Sequence, residues 1–291
     1  MNYFNIDFKV SVRCFTFNHS EYIIDTLNGF CAQQTTFPYI CSIVDDASTD
    51  GEQEIIKKYI GDYFEPSTIY FEDTEYANIV LASHKVNKHC FFAVILLKYN
   101  HYSINKDTFS YMSKWRDKCK YEAVCEGDDY WIGSRKLQMQ YDFMESHIEY
   151  SMCFHNAIVE NLKYKKGYLF NNIRLPEVIS TSYLLKSKWI TPTASFFHKL
   201  SVRYPLIDGI NGDMLILYSC SFEGLIHYED EIMCVYRYST GSSLSKTSSK
   251  SSLYDKKINL YRWIDNKSNK KYCFLIQLQI LKSKLAKYIR S

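Results

Sequence analysis

The sequence predicts an α/β chain with a mostly parallel central sheet flanked by helices and a helical C-terminal extension. Two observations carry this expectation. Through residues 9–145, apolar runs with β-branched content alternate with segments whose apolar residues recur at helical spacing. Polar or acidic groups then stand directly after three of those runs: Thr16-Phe17-Asn18, Asp45-Asp46 and Glu126-Gly127-Asp128-Asp129. A parallel sheet brings the carboxyl ends of its strands to one edge, and ligands bind there.

The elements follow in order. Residues 9–15 form a first strand, and Ser20 can cap a helix carrying Tyr22, Ile23, Leu27 and Phe30. Residues 39–44 form a second strand. Thr49 and Glu52 match a capping box that opens a helix with Ile55, Ile56, Tyr59 and Ile60. Residues 68–71 are a third short strand. Residues 72–120 contain apolar runs at 79–82 and 91–97 and a helix near 109–118. Residues 121–125 read as a short buried strand leading into the acidic motif, and 134–145 as a helix with Leu137, Tyr141 and Met144 inward.

From Ser151 short apolar segments alternate with polar turns. Residues 163–167 suggest an exposed hairpin or loop, and 189–197 a turn into a strand. Asn211-Gly212-Asp213 caps an apolar helix over 214–220, and 231–238 is a last strand. Residues 239–252 are serine-rich, a flexible linker or mobile loop. A basic helical tail follows, with Lys256, Lys257, Arg262, Lys267, Lys270, Lys271, Lys282, Lys284, Lys287 and Arg290 set against Asp255 and Asp265.

Composition bounds the function. A chain of 291 residues with 46% apolar content, 26 tyrosines and 18 phenylalanines has a sizeable core and is not disordered. A net charge of +3 gives no reason to expect a nucleic-acid partner. The ten cysteines form no C-x-x-C pair and several lie in apolar runs, which predicts reduced, buried thiols in a cytoplasmic protein. The first residues lack a signal-peptide pattern, and no apolar run reaches the length of a membrane span. No G-x-G-x-x-G or P-loop pattern follows the first strand, which disfavours a Rossmann dehydrogenase or a P-loop NTPase.

Two acidic pairs at two strand ends are the strongest chemical signal. Adjacent carboxylates repel and lose hydration, and a fold tolerates this when a cation or polar ligand compensates. The pairs therefore point to one site holding a divalent metal and a phosphorylated ligand. Each residue also has a plainer reading. Asp128 and Asp129 could cap a turn, Asp45 and Asp46 could form an Asx-turn, and Asp213 could compensate a helix dipole. Arg237 could be an ion-pair partner. His155 and His198 are expected to be structural histidines.

The motifs together resemble a known family. Val10-Ser11-Val12 through Asn18, with Tyr22, Gln33 and Val44-Asp45-Asp46-Ala47-Ser48-Thr49-Asp50, is similar to the opening of family-2 glycosyltransferases of the GT-A fold. Glu126-Gly127-Asp128-Asp129-Tyr130-Trp131, followed by Lys136-Leu137-Gln138, resembles their metal motif and the helix after it. Gly212-Asp213 resembles the segment that supplies the catalytic base. Val235-Tyr236-Arg237, with Ser242-Ser243, resembles the strand and loop that close the site. The sequence departs from the pattern at Glu126, where aspartate is commoner, and lacks a histidine after Arg237 and a proline after Trp131.

The resemblance implies a GT-A domain over residues 1–244, a basic helical extension over 245–291, and a sugar transferase of bacterial surface-polysaccharide type. Thr16, Asn18 and Asp46 would line the nucleotide pocket, Asp45 would support or contact the base, and Arg237 would meet the diphosphate. Asp128 would sit near the ribose or metal and Asp129 would bind Mn²⁺ or Mg²⁺. Asp213 would deprotonate the acceptor hydroxyl in a single inverting displacement. The partners implied are a nucleotide-diphosphate sugar donor and a glycan or lipid-linked acceptor.

Two rivals stay open on the residues alone. A sugar nucleotidyltransferase would want a glycine-rich phosphate loop after the first strand, which Thr16-Phe17-Asn18-His19 does not supply. A catalytically inactive sugar-nucleotide-binding protein of the same fold is the other. The tail also has two readings. It is a solvated charged face, or a peripheral contact with the inner face of the membrane through Phe274, Leu275, Leu278, Leu281 and Leu285 beside lysines.

Overall fold

A computed structural model of the chain describes residues 3–205, 207, 210–238 and 250–290. The N-terminal half begins with the expected alternation: β1 (Val10–Thr16), α1 (Ile23–Cys31), β2 (Tyr39–Asp45) and α2 (Glu52–Tyr63). Next come β3 (Tyr70–Asp73), β4 (Ala77–Ser83), β5 (Cys90–Leu97), the single-turn α3 (Ser113–Arg116), β6 (Tyr121–Val124) and β7 (Tyr130–Trp131). Then follow α4 (Lys136–Ser146), β8 (Tyr150–Asn161), β9 (Lys166–Leu169), β10 (Val178–Ile179), α5 (Thr181–Lys186) and β11 (Phe197–Lys199). The chain finishes with α6 (Gly212–Glu223), β12 (Leu225–Tyr238), α7 (Lys250–Lys267) and α8 (Cys273–Arg290).

Among the described residues, all twelve strands join one sheet in the order β10-β12-β8-β11-β6-β1-β2-β5-β4-β3, with β7 on β12 and β9 on β8. The centre, β6-β1-β2-β5, is parallel. These strands are buried on both faces, which is why they read as continuous apolar runs. The flanks are antiparallel. On one side β4 and β3 return along β5. On the other, β11 runs between β6 and β8, and β8 pairs in parallel with the long, bulged β12. The sheet is therefore mixed around a parallel core. The apolar runs left unassigned in residues 72–120 are β4 and β5, and the exposed hairpin expected at 163–167 joins β8 to β9.

Three apolar clusters hold the layers. Val10, Val12 and Cys14 of β1 pack under Ile23, Leu27 and Phe30 of α1, Ile56 and Ile60 of α2, and Leu137 of α4. On the opposite face, Ile40, Val44, Phe91 and Ile95 meet Phe8, Met112 and Trp115. The third cluster joins Phe154, Leu215, Ile216 and Ile226 to Ile258 and Ile264 of α7 and Ile276 and Ile280 of α8. The C-terminal helices thus share a core with β8, β12 and α6, and Gln279 donates a 2.7 Å hydrogen bond to the Leu185 carbonyl. Residues 239–249 of the serine-rich segment and the boundary expected at 244 lie outside the described residues, while 250–252, expected in the same linker or loop, open α7. All ten cysteines are free thiols and eight are buried. No helix among the described residues is long and apolar enough to cross a membrane.

Arg13 of β1 faces a buried ionic network under the sheet. Glu122 of β6 is fully buried and takes hydrogen bonds from Arg116 Nε and, at 3.2 Å, the His198 ring; Arg13 Nε lies 3.7 Å away. His198 is a satisfied structural histidine, as expected. Burial pushes the Glu122 carboxyl up, but Arg13, His198 and Arg116 outweigh it and hold the group well below the usual carboxylate range. A depressed pKa stabilises the fold above the unfolded value of 4.5, and this is lost only in strong acid. Glu122→Gln leaves the buried Arg13 guanidinium without its counter-charge and Arg116 with only the exposed Asp117, and should lower stability by about 3–5 kcal/mol at pH 7 in urea titration. A loss under about 1 kcal/mol would mean the network contributes little.

Candidate active site

The parallel register brings the three expected strand ends together. Thr16 lies beside Asp45, and Arg13 lies beside Val124, so the motif at 126–129 continues past the end of β6 at the same edge. Gly127 passes against Thr16 so closely that a Cβ there would stand 2.0 Å from Thr16 Oγ1. Only glycine allows this approach.

Several predicted residues prove to be braces for this edge. Thr16 is buried, donates to Glu52, and its hydroxyl lies 3.1 Å from His19 Nδ1. Asn18, in the left-handed region at φ 56°, accepts from the Thr49 N–H at 2.8 Å. Asp46 accepts the His101 N–H at 2.6 Å and the Tyr102 N–H at 3.0 Å, closing the loop after β5. Asp45 is fully buried; Oδ1 accepts from the Ser48 N–H and Gln53 Nε2, while Oδ2 has no partner.

The acidic motif divides into an inward and an outward half. Asp129, expected to face a metal, is turned inward and only 2% exposed; its Oδ1 accepts the Arg237 N–H at 2.8 Å. Burial, reinforced by Asp128, pushes its carboxyl well above the usual range. Arg237, expected at the diphosphate, is 8% exposed and already engaged. It donates to Asp25, to Glu160 at 3.2 Å and to the Asp128 carbonyl at 3.3 Å, with Tyr130 under its guanidinium at 4.3 Å. It pins α1, β8 and β12 around the motif. Asp128 turns outward, its side chain 17% exposed and its Oδ2 3.7 Å from His19 Nε2.

Asp213 reaches the same place from the first turn of α6. It is partly buried, with Oδ1 accepting the Met214 N–H at 2.7 Å and Thr193 Oγ1 3.5 Å from Oδ2. Burial raises its proton affinity, and Arg13 opposes the rise. The Glu126 carboxyl is pushed up to about 7 by burial, with Arg13 opposing and the charges of Asp128 and Asp213 adding to the rise. Tyr236 of β12 is pushed up to about 12 by burial and by Asp129, Asp128 and Asp213. Glu126, Asp128, Asp213 and Tyr236 therefore lie within electrostatic reach of one another at this acidic edge.

Five participants lay outside the predicted set: Arg13, His19, Glu52, Glu126 as a cleft acid, and Tyr236. Glu52 is no capping-box partner, since α2 begins after Gly51 and Thr49 makes no cap. It is buried, accepts from Thr16, the His19 N–H and Ser48, and burial pushes it up to about 7. A polar residue inside an apolar strand was the available signal for Arg13. Nothing local marked His19.

The family model for glycosyl transferase family 2 matches residues 11–206. The chain belongs to that family. The match takes in the edge from Thr16 to Asp129 and stops before Asp213 and Tyr236. Uncharacterized proteins of Mycobacterium tuberculosis and Mycobacterium bovis are 33% identical to this family-2 chain over 209 residues, which is 71% of the chain and 50% of each relative. The chain thus spans about half the length of those relatives. Among solved structures, S. aureus TarS 1–349 in complex with UDP-GlcNAc superposes with TM-score 0.57 at 16% identity, over 96% of this chain and 73% of that one. The mannosyltransferase PcManGT of Pyrobaculum calidifontis, in complex with GDP-Man and Mn²⁺, gives 0.56 at 9% identity, over 97% and 75%. At these identities the likeness establishes the GT-A fold.

A divalent cation suits this cleft on charge. The charges of Asp128 and Asp213 add to the raised proton affinity of Glu126, while Arg237 is committed elsewhere and Arg13 lies beneath. Among the described residues no three His, Cys, Asp or Glu side chains converge as a ready-made cage. A cation here would take most of its ligands from a bound phosphate, as Mg²⁺ does.

The raised Glu126 has a measurable consequence. A folded pKa above the unfolded 4.5 favours folding at low pH, and this is lost as pH rises through about 7. Glu126→Gln should therefore gain stability relative to the wild type between pH 5.5 and 8 (a span of roughly the shift) in the metal-free protein. Melting curves at both pH values check this, and a constant difference would contradict it.

Proposed function

We propose that this chain is a metal-dependent, inverting glycosyltransferase that moves a sugar from a nucleotide-diphosphate donor to a hydroxyl of a glycan or lipid-linked acceptor. The observation that carries the reading is the parallel register that gathers Glu126 and Asp128, with Asp213 and Tyr236 nearby, at the carboxyl edge of the strands in a family-2 chain. The nucleotide sugars named with the two structural neighbours, UDP-GlcNAc and GDP-Man, support a donor of the same class. For an acceptor in surface-polysaccharide assembly, the support is the family alone.

Each residue then has a task. Asp45 is fully buried at the end of β2 and would support the nucleotide pocket from beneath through the Ser48 N–H and Gln53. Asp128 faces the cleft and would hold Mn²⁺ or Mg²⁺ together with the donor's phosphate oxygens. When bound, such a cation supplies charge compensation for the departing nucleoside diphosphate. Asp129 does not reach out; it fixes the strand from which Tyr236 faces the cleft. Asp213 takes the proton from the attacking hydroxyl. Its raised proton affinity strengthens it as a base and sets its pH window. The base must be ionised, so the rate falls as pH drops through a pKa above the usual carboxylate value.

The test uses water or a sugar as acceptor and follows release of nucleoside diphosphate from UDP-, GDP- and dTDP-sugars with Mn²⁺. Asp213→Asn should lower kcat by about 10²–10⁴ with donor binding kept. Asp128→Asn should abolish the metal dependence. NMR of the first product should show an inverted anomeric centre. Retention, or undiminished turnover in Asp213→Asn, would overturn the assignment of the base.

A further inference from the structure

We infer that α8 is a two-faced helix whose outer face docks the protein on an anionic lipid surface. The inner face is settled by contacts: Ile276, Ile280 and Ser283 are buried, and Lys287 pairs with Asp255 of α7 at 2.7 Å. The outer face carries Phe274, Leu278, Leu281, Leu285 and Tyr288, which are 76%, 40%, 54%, 52% and 84% exposed. Their spacing alternates four and three residues, so they form one straight stripe about 20 Å long. Leu275 belongs to the core side and not to this stripe.

The charges on either side choose the occupant. At about 100° per residue, Lys282 and Lys284 fall roughly 80° to opposite sides of the stripe. Both are exposed. Lysines so placed can lay their stems along the apolar boundary and keep their ammonium groups among anionic headgroups. The sequence of α8 contains no aspartate or glutamate. If the stripe paired with a second copy of itself, the flanking lysines would meet lysines with no carboxylate in either helix to receive them. An anionic membrane surface complements the same pattern. The helix is amphipathic on both sides and too polar to span, which fits a helix lying in the plane of the interface. This inference does not rest on the transferase reading.

Vesicle flotation of the full chain tests it, with phosphatidylcholine vesicles and with vesicles containing phosphatidylglycerol. Flotation is expected only with the anionic vesicles, and should weaken as salt rises. Each lysine at such a surface is worth about fivefold in binding, so Lys282→Gln with Lys284→Gln should weaken it about thirtyfold. Leu281→Ser with Leu285→Ser should abolish it. These side chains are exposed, so unchanged melting temperatures will show that the variants fold. Absence of flotation, equal binding to both vesicle types, or no effect of either double variant would overturn the inference. So would a dimer by light scattering that Leu281→Ser with Leu285→Ser dissociates, since that assigns the stripe to a second copy.

Discussion

Parallel pairing of β1 with β2 on one side and β6 on the other governs the rest of the molecule. It fixes Thr16 beside Asp45 and sends residues 126–129 past the same edge. Glu126 and Asp128 are then drawn toward Asp213 in one partly dehydrated place. Arg237, which could have neutralised them, is held by Asp25, Glu160 and a backbone carbonyl. Arg13 lies under the sheet with Glu122. The edge is left with more negative charge than its own cations offset, and protons or an added cation must compensate. The raised proton affinities of Glu126, Asp129 and Asp213 are this constraint expressed residue by residue.

The braces around the edge explain how the fold tolerates that surplus. Glu52 ties Thr16, His19 and Ser48 into one loop cluster, and Asp46 closes the turn after β5. Asp129 and Arg237 lock β12 against the acidic motif through a backbone hydrogen bond. Many polar groups here brace the edge, and among the described residues Asp128, Asp213, Glu126 and Tyr236 stay only partly buried beside it. A site built this way is held by its neighbours before any ligand arrives, which limits the reorganisation needed at the moment of reaction.

The sequence made the parallel core legible because strands buried on both faces leave continuous apolar runs, as at Tyr39–Asp45. Family motifs marked the acidic edge. The flanks were less legible: β8 and β12 pair in parallel across about seventy residues and several bulges, and no local pattern encodes that pairing. The role of Glu52 is not encoded locally, because a Thr-x-x-Glu spacing suits a capping box as well as a buried brace. Asp129 and Arg237 were placed in the pocket by motif, and only the side-chain contacts reveal that both face inward. The stripe on α8 was visible as apolar residues among lysines, but its limits depended on which face α7 covers. The contacts removed Leu275 and added Tyr288.

On the proposed function, a cation and a nucleotide diphosphate together offset the surplus charge at this edge. Thermal melting of the wild type and Asp128→Asn with UDP-, GDP- and dTDP-sugars, each with and without Mn²⁺, tests it most directly. A ligand at a hundred times its dissociation constant adds about 2.7 kcal/mol, a shift of several degrees for a chain of this size. The account predicts that shift for one nucleotide class, only when Mn²⁺ is present, and its loss in Asp128→Asn. A full shift without metal, or one that Asp128→Asn leaves intact, would contradict it.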